Sequence, residues 1–206
     1  MDESWRVHVA CLDDRFAGIK LRALNVYSQF GEDGLIEAVF ERIGIRNRWC
    51  FEVGAADGDY LSNTKVLRKN DWYCLLVESN ESHFKRLSLL RSESVFCVHE
   101  HVDGSSLDRL LADCGAPTNM DFGCVDIDGQ DYWVWDGMRR CEPRVMLVEF
   151  SNRKIQDDMR YIPPLGNQTS KQASFRSIRD LGESKGYIAV AKTYVNVLFV
   201  KESDLA

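Results

Sequence analysis

Two hydrophobic periods alternate along most of the chain. Short continuous apolar runs fall at residues 50–53, 73–77, 95–98, 123–127 and 145–150. Runs of this length without polar alternation predict strands buried on both faces. Between them, apolar residues recur at helical spacing over 63–69, 81–90, 107–113 and 132–140. Asn80 and Ser105 or Ser106 are suited to cap the second and third of these helices. An amphipathic helix comes before the first strand, with Leu35, Ile36, Val39, Phe40 and Ile43 on one stripe and Gly44 as its stop. A further helix is expected near 14–23.

Strands alternating with helices imply right-handed crossovers and a parallel sheet. The end of the chain departs from that rhythm. After a helix carrying Phe175, Ile178 and Leu181 come two strand patterns, 187–192 and 195–200, linked only by Thr193 and Tyr194. So short a link makes an antiparallel hairpin. The expectation is one domain over 1–206, with an N-terminal extension at 1–26 and a core at 27–206.

Composition narrows the class little. The 206 residues carry 45% hydrophobic and 28% charged residues, ordinary for a soluble globular protein. The formal charge of −6 argues against nucleic acid or an anionic membrane as partner. No apolar run approaches the roughly 20 residues that span a bilayer. The opening Met1-Asp2-Glu3-Ser4 is acidic, unlike a signal peptide, so a cytoplasmic location is expected. The 7 cysteines include no Cys-x-x-Cys and read as buried hydrophobes.

The candidate chemistry sits at strand ends. The first strand runs into Glu52-Val53-Gly54-Ala55-Ala56-Asp57-Gly58, an acid followed by a glycine turn. Such a turn lets backbone approach a ligand closely. The Gly-x-Gly-x-x-Gly fingerprint of dinucleotide sites is not met, because Ala56 holds the second place and Asp59 the third. An acid before the first glycine suits a ligand bearing ammonium and sulfonium groups better than a pyrophosphate. The second strand ends in Glu78, about twenty residues beyond the turn, the offset at which an acid takes a ribose diol. The fourth strand ends in Asp126-Ile127-Asp128-Gly129-Gln130-Asp131, and the fifth in Glu149-Phe150-Ser151-Asn152. Neighbouring parallel strands meet at their carboxyl edge, so Asp126, Glu149 and Asn152 are candidate oxygen ligands for Mg2+ or a similar ion. Acids at this edge would equally contact an amine or cap the following helix.

Several motifs in order resemble the FkbM-type S-adenosylmethionine-dependent methyltransferases. They are Ser28-Gln-Phe-Gly-Glu-Asp33, Phe51-Glu-Val-Gly-Ala-Ala-Asp-Gly58, Ser62-Asn-Thr64, Trp72, Leu76-Val-Glu78, Val125-Asp-Ile-Asp-Gly-Gln-Asp-Tyr132, Pro143-Arg-Val145, Val148-Glu149 and Lys185-Gly-Tyr187. The resemblance covers about residues 27–200. It implies a Rossmann-like class I methyltransferase fold: a seven-stranded, mostly parallel sheet in the order 3-2-1-4-5-7-6, closed by an antiparallel hairpin, with helices on both faces. Where the family has Tyr-x-Gly-Ala-Ser, this chain has Lys171-Gln-Ala-Ser174.

With that resemblance, the residues expected to hold S-adenosylmethionine are Gln29, Glu52, Gly54, Ala55, Asp57, Gly58, Asn63, Glu78, Ser79, His101 and Asp126. Asp126 and Asp128 are the expected catalytic residues, and a small-molecule hydroxyl is the expected acceptor. Metal-free transfer to nitrogen or carbon, and an inactive cofactor-binding domain, are the alternatives. A nicotinamide-dependent reductase is disfavoured by the failed fingerprint. Arg139, Arg140 and Arg144 read as a solvated helix end, and Tyr27, Ser28 and Gln29 as residues that close over the cofactor.

Overall fold

The computed structural model describes residues 4–152, 159–166 and 171–205. Its centre is one eight-stranded sheet. The strands are β1 (Ala10–Cys11), β2 (Trp49–Val53), β3 (Tyr73–Glu78), β4 (Val95–His99), β5 (Phe122–Val125), β6 (Val145–Glu149), β7 (Tyr187–Lys192) and β8 (Asn196–Lys201). Their order across the sheet is β1-β7-β8-β6-β5-β2-β3-β4. The five strands β2 to β6 are mutually parallel, while β8 runs antiparallel between β6 and β7. This is the expected class I methyltransferase arrangement with one addition. The N-terminal segment supplies β1 as an outer strand, antiparallel to β7.

Among the described residues the α-helices are α1 (Glu32–Ile43), α2 (Lys65–Arg68), α3 (Glu81–Leu87), α4 (Gly104–Asp113), α5 (Asp131–Gly137) and α6 (Phe175–Ser184). Two cores flank the sheet. One face packs Phe51, Leu75, Val125 and Met146 against Leu107, Leu111, Trp135 and Ile178. The other packs Cys50, Cys74, Leu76 and Leu147 against Leu35, Val39, Phe40 and Ile19. Alternate strand residues face opposite sides, so continuous apolar runs feed both cores at once.

Local chemistry explains where elements differ from the sequence expectation. The helix expected near 14–23 is two 3-10 turns, Asp14–Phe16 and Ile19–Arg22, broken at Gly18 by a φ of 88°. Helix α4 starts at Gly104 because Asp103, not Ser105 or Ser106, is the cap; Ser106 completes a reciprocal capping box with it. Helix α5 stops at Gly137, short of the expected 140. The Asp108 carboxylate accepts the backbone N–H groups of Arg139, Arg140 and Cys141 and holds that segment in another course.

Arg144 corrects the surface reading outright, being 2% exposed. Its guanidinium donates to Asp121 at 2.7 Å, to Asp204 at 2.9 Å, and to the carbonyls of Ile43 and Gly44 at the end of α1. Asp121, also buried, accepts the backbone N–H groups of Arg46, Asn47 and Arg48. A buried guanidinium persists because every face of it meets an acceptor.

Candidate active site

A cavity of about 520 Å³ opens beyond the carboxyl ends of β2, β3, β4 and β5. This is where ligands bind in open α/β sheets, and the volume lies within the range for small-molecule sites. Its walls come from Val53, Gly54 and Ala56 after β2, from Glu78, Ser79 and His83 around the start of α3, from Glu100–Val102 after β4, and from Asp126–Gln130 after β5.

The first wall is held by backbone geometry. Gly54 has a φ of 84°, and a Cβ there would stand 1.8 Å from the carbonyl oxygen of Asp126. Glycine is thus required by the close approach of the two turns to each other. Gly58 faces away from the cavity, since a Cβ on it would meet Leu90 and Leu87. Ala56, with a φ of 47°, donates its N–H to Glu78 Oε2 at 2.8 Å, and Asn80 N–H donates to Glu78 Oε1 at 2.6 Å. The Glu78 carboxylate is therefore oriented by one donor on each oxygen and keeps further acceptor capacity toward the cavity.

The opposite wall is acidic. Asp126 lines this wall, and the Glu149 carboxyl at the end of β6 lies close to it. Carboxyls crowded together away from water favour their protonated forms. Loss of solvation and then the neighbouring Asp131 push Asp126 up to about 8. Loss of solvation and then Asp126 push Glu149 up to about 10. Asp128, exposed and with a φ of 58°, donates its N–H to Glu149 Oε2 at 3.1 Å. Asp131 is fully buried and accepts N–H bonds from Ile127 and Gly129, fixing the turn between Asp126 and α5.

Of the expected cofactor residues, Gly54, Glu78, Ser79, His101 and Asp126 line the cavity. Ala55, Asp57, Gly58, Asn63, Glu52 and Gln29 lie outside its wall. Glu52 is 3% exposed and binds Ser62 Oγ, Thr64 Oγ1 and the N–H of Asn63, so it fastens the 62–64 segment under the turn. Asp57 accepts from the N–H groups of Asp59 and Tyr60, which holds its acid below the usual carboxylate range. Gln29 is exposed, and its carbonyl accepts from Asn25.

The Ser28–Asp33 motif is a structural clasp: Asp33 Oδ2 accepts the N–H groups of Val26, Tyr27 and Ser28, and Glu32 binds Thr193 and Asn196. Among the expected metal ligands, Asp126 and Glu149 meet, while Asn152 is exposed and not on the cavity wall. Among the described residues, no group of three or more His, Cys, Asp or Glu is arranged to hold a metal ion.

Sequence reasoning gave no role to Ala56, His83, Glu100, Asp131 or Gln130. Asp131 carried the one usable signal, a third acid at the same turn. The others are placed by backbone direction, which composition does not encode.

Solved structures share this fold. An O-methyltransferase from Bacillus cereus in complex with S-adenosylhomocysteine superposes with a TM-score of 0.55 at 14% identity, covering 91% of this chain and 88% of that one. A protein described as an O-methyltransferase from Klebsiella pneumoniae gives a TM-score of 0.53 at 13% identity, with 91% and 88% covered. A protein described as a sarcosine dimethylglycine methyltransferase from Galdieria sulphuraria gives 0.51 at 14%, with 76% of this chain and 61% of that one covered. No family model matches the chain, and no curated protein matches it in sequence. The fold is that of class I S-adenosylmethionine-dependent methyltransferases. Among the described residues, no helix is long and apolar enough to cross a membrane.

Proposed function

We propose that the chain is an S-adenosylmethionine-dependent methyltransferase of the FkbM-like kind that methylates a hydroxyl on a small molecule. One observation carries the reading: the cavity sets an oriented carboxylate, Glu78, against Asp126 and Asp128 across the carboxyl edge of the sheet, with Glu149 accepting the Asp128 N–H. Glu78 takes the ribose diol through its remaining lone pairs. A cationic ammonium or sulfonium at this wall would favour the ionised form of Asp126, so ligand and carboxylate stabilise each other, where an anionic dinucleotide would not. The order of motifs from Ser28 to Tyr187 and the shared fold support the same reading.

In the reaction the acceptor oxygen attacks the methyl carbon in line with the breaking carbon–sulfur bond. The sulfonium leaves as a neutral thioether. Most of the rate would come from holding oxygen, carbon and sulfur in line. Asp128, exposed at the cavity wall, takes the acceptor proton, and Asp126 directs the incoming hydroxyl. Asn152 stands outside the cavity lining, and no step is routed through an ion.

Calorimetry with S-adenosylhomocysteine tests the donor site: wild type binds and Glu78→Ala loses most of that affinity. Failure of the wild type to bind overturns the reading. Methyl transfer to a panel of hydroxyl acceptors then tests the chemistry. Activity that survives EDTA undiminished supports the carboxylate route, and activity abolished by EDTA and restored by Mg2+ would replace it with a metal-assisted one.

A further inference from the structure

Gln130 belongs to the cavity wall and at the same time fastens a segment outside it. Its Nε2 donates to the carbonyl of Pro164 at 3.3 Å, and its Oε1 accepts the N–H of Gly166 at 3.1 Å. Three residues on, the Trp133 indole N–H donates to the carbonyl of Pro163 at 2.7 Å.

The two prolines make these bonds count. Proline has no N–H, so residues 163 and 164 offer only acceptors and cannot tie themselves down through backbone donors. Their carbonyls are taken by side chains of the turn and of α5. Nearer α6, Tyr161 is anchored separately by Ser174 and Ser177. On the far side, Gln172 Nε2 donates to Asp128 Oδ1 at 3.5 Å. The turn 126–131 is thus contacted by residues 164 and 166 and, separately, by Gln172.

We propose that Gln130 is a positioning residue that makes the neighbouring segment 161–166 respond to occupancy of the cofactor cavity. The inference rests on the donor reading above. The turn from Asp126 to Gln130 forms one wall for the donor, and Asp131 holds that turn as a unit through its bonds to Ile127 and Gly129. A ligand that settles the turn settles Gln130 with it. Both ends of the Gln130 amide pass that order to Pro164 and Gly166. Trp133 holds the same segment from a helix position outside the cavity wall, so it anchors without transmitting.

Hydrogen–deuterium exchange on the full chain tests this, with and without saturating S-adenosylhomocysteine so that changes in affinity drop out. In wild type, the ligand is expected to slow exchange over 159–166 on the order of tenfold, together with the turns at 54–56 and 126–129. In Gln130→Ala, the turns remain protected by ligand and the ligand-dependent change at 159–166 disappears. In Trp133→Phe, exchange at 159–166 rises with and without ligand, but the ligand still slows it. A ligand effect on 159–166 that persists in Gln130→Ala overturns the proposal, as does a wild-type segment that ignores bound ligand. Absence of binding and of protection at the turns in wild type instead overturns the donor reading. Gln130→Glu separates the two amide ends: retained coupling assigns it to the Gly166 N–H, and lost coupling to the Pro164 carbonyl.

Discussion

At the scale of single residues, the site depends on which carboxylates face the cavity. Glu78→Gln keeps an acceptor for one backbone N–H but removes the charge and half the acceptor capacity. A charged hydrogen bond is worth about 1.5–3 kcal/mol, so affinity for S-adenosylhomocysteine should fall about 10- to 100-fold by calorimetry. The acidic pair gives a pH signature without ligand. Asp126 and Glu149 titrate above their unfolded values, to about 8 and about 10, so the folded state holds protons that the unfolded state has released. Stability then falls as pH rises from the unfolded carboxylate range toward those values. Thermal unfolding of the apo protein should show Tm declining over that window, and Glu149→Gln should flatten the decline.

Glu78, Asp126 and Glu149 were legible because an acid closing an apolar run marks the carboxyl edge. Glu52 lies inside its strand instead. It stands one residue before the end of β2, whereas Glu78 is the last residue of β3. Glu52 pairs with Leu76, so it shares a sheet face with Glu78 but lies two residues further back along the strands, under the turn.

Single elements are held by charges that look solvated in the sequence. Arg144 joins the start of β6 to the end of α1 and to Asp204. Arg144→Ala leaves Asp121 buried without its guanidinium, and loss of such a partner costs about 3–5 kcal/mol. Urea unfolding should show the midpoint shift. Helices α1 and α6 were readable from their apolar stripes, which no strong local interaction contradicts. The end of α5 was not, since Asp108, some thirty residues earlier, diverts it. Likewise the break at Gly18 replaced one helix by two turns, while Phe16 and Ile19 kept their place in the core.

For the molecule as a whole, alternation and the terminal hairpin gave a parallel sheet with an antiparallel end and the resemblance gave the strand order, but neither gave β1. Two residues pairing on an outer edge leave no periodic trace. Deleting residues 1–22 removes β1 and uncovers the core beneath Val9, Phe16 and Ile19. Urea unfolding should then start at lower denaturant, while S-adenosylhomocysteine still binds, because the cavity lining runs only from Val53 to Gln130.

The placing of β8 between β6 and β7 also sets an order of events during synthesis. The strands β2 to β6 can pair as each emerges, since their partners are already made. Strand β7 cannot join them on arrival, because its place beside β6 belongs to a strand not yet translated. The N-terminal β1 waits longer still, as its partner β7 is anchored only through β8. Long-range pairings of this kind form late. Nascent chains stalled before residue 196 leaves the ribosome should therefore protect β2 to β6 from protease and leave residues 4–22 open to cleavage.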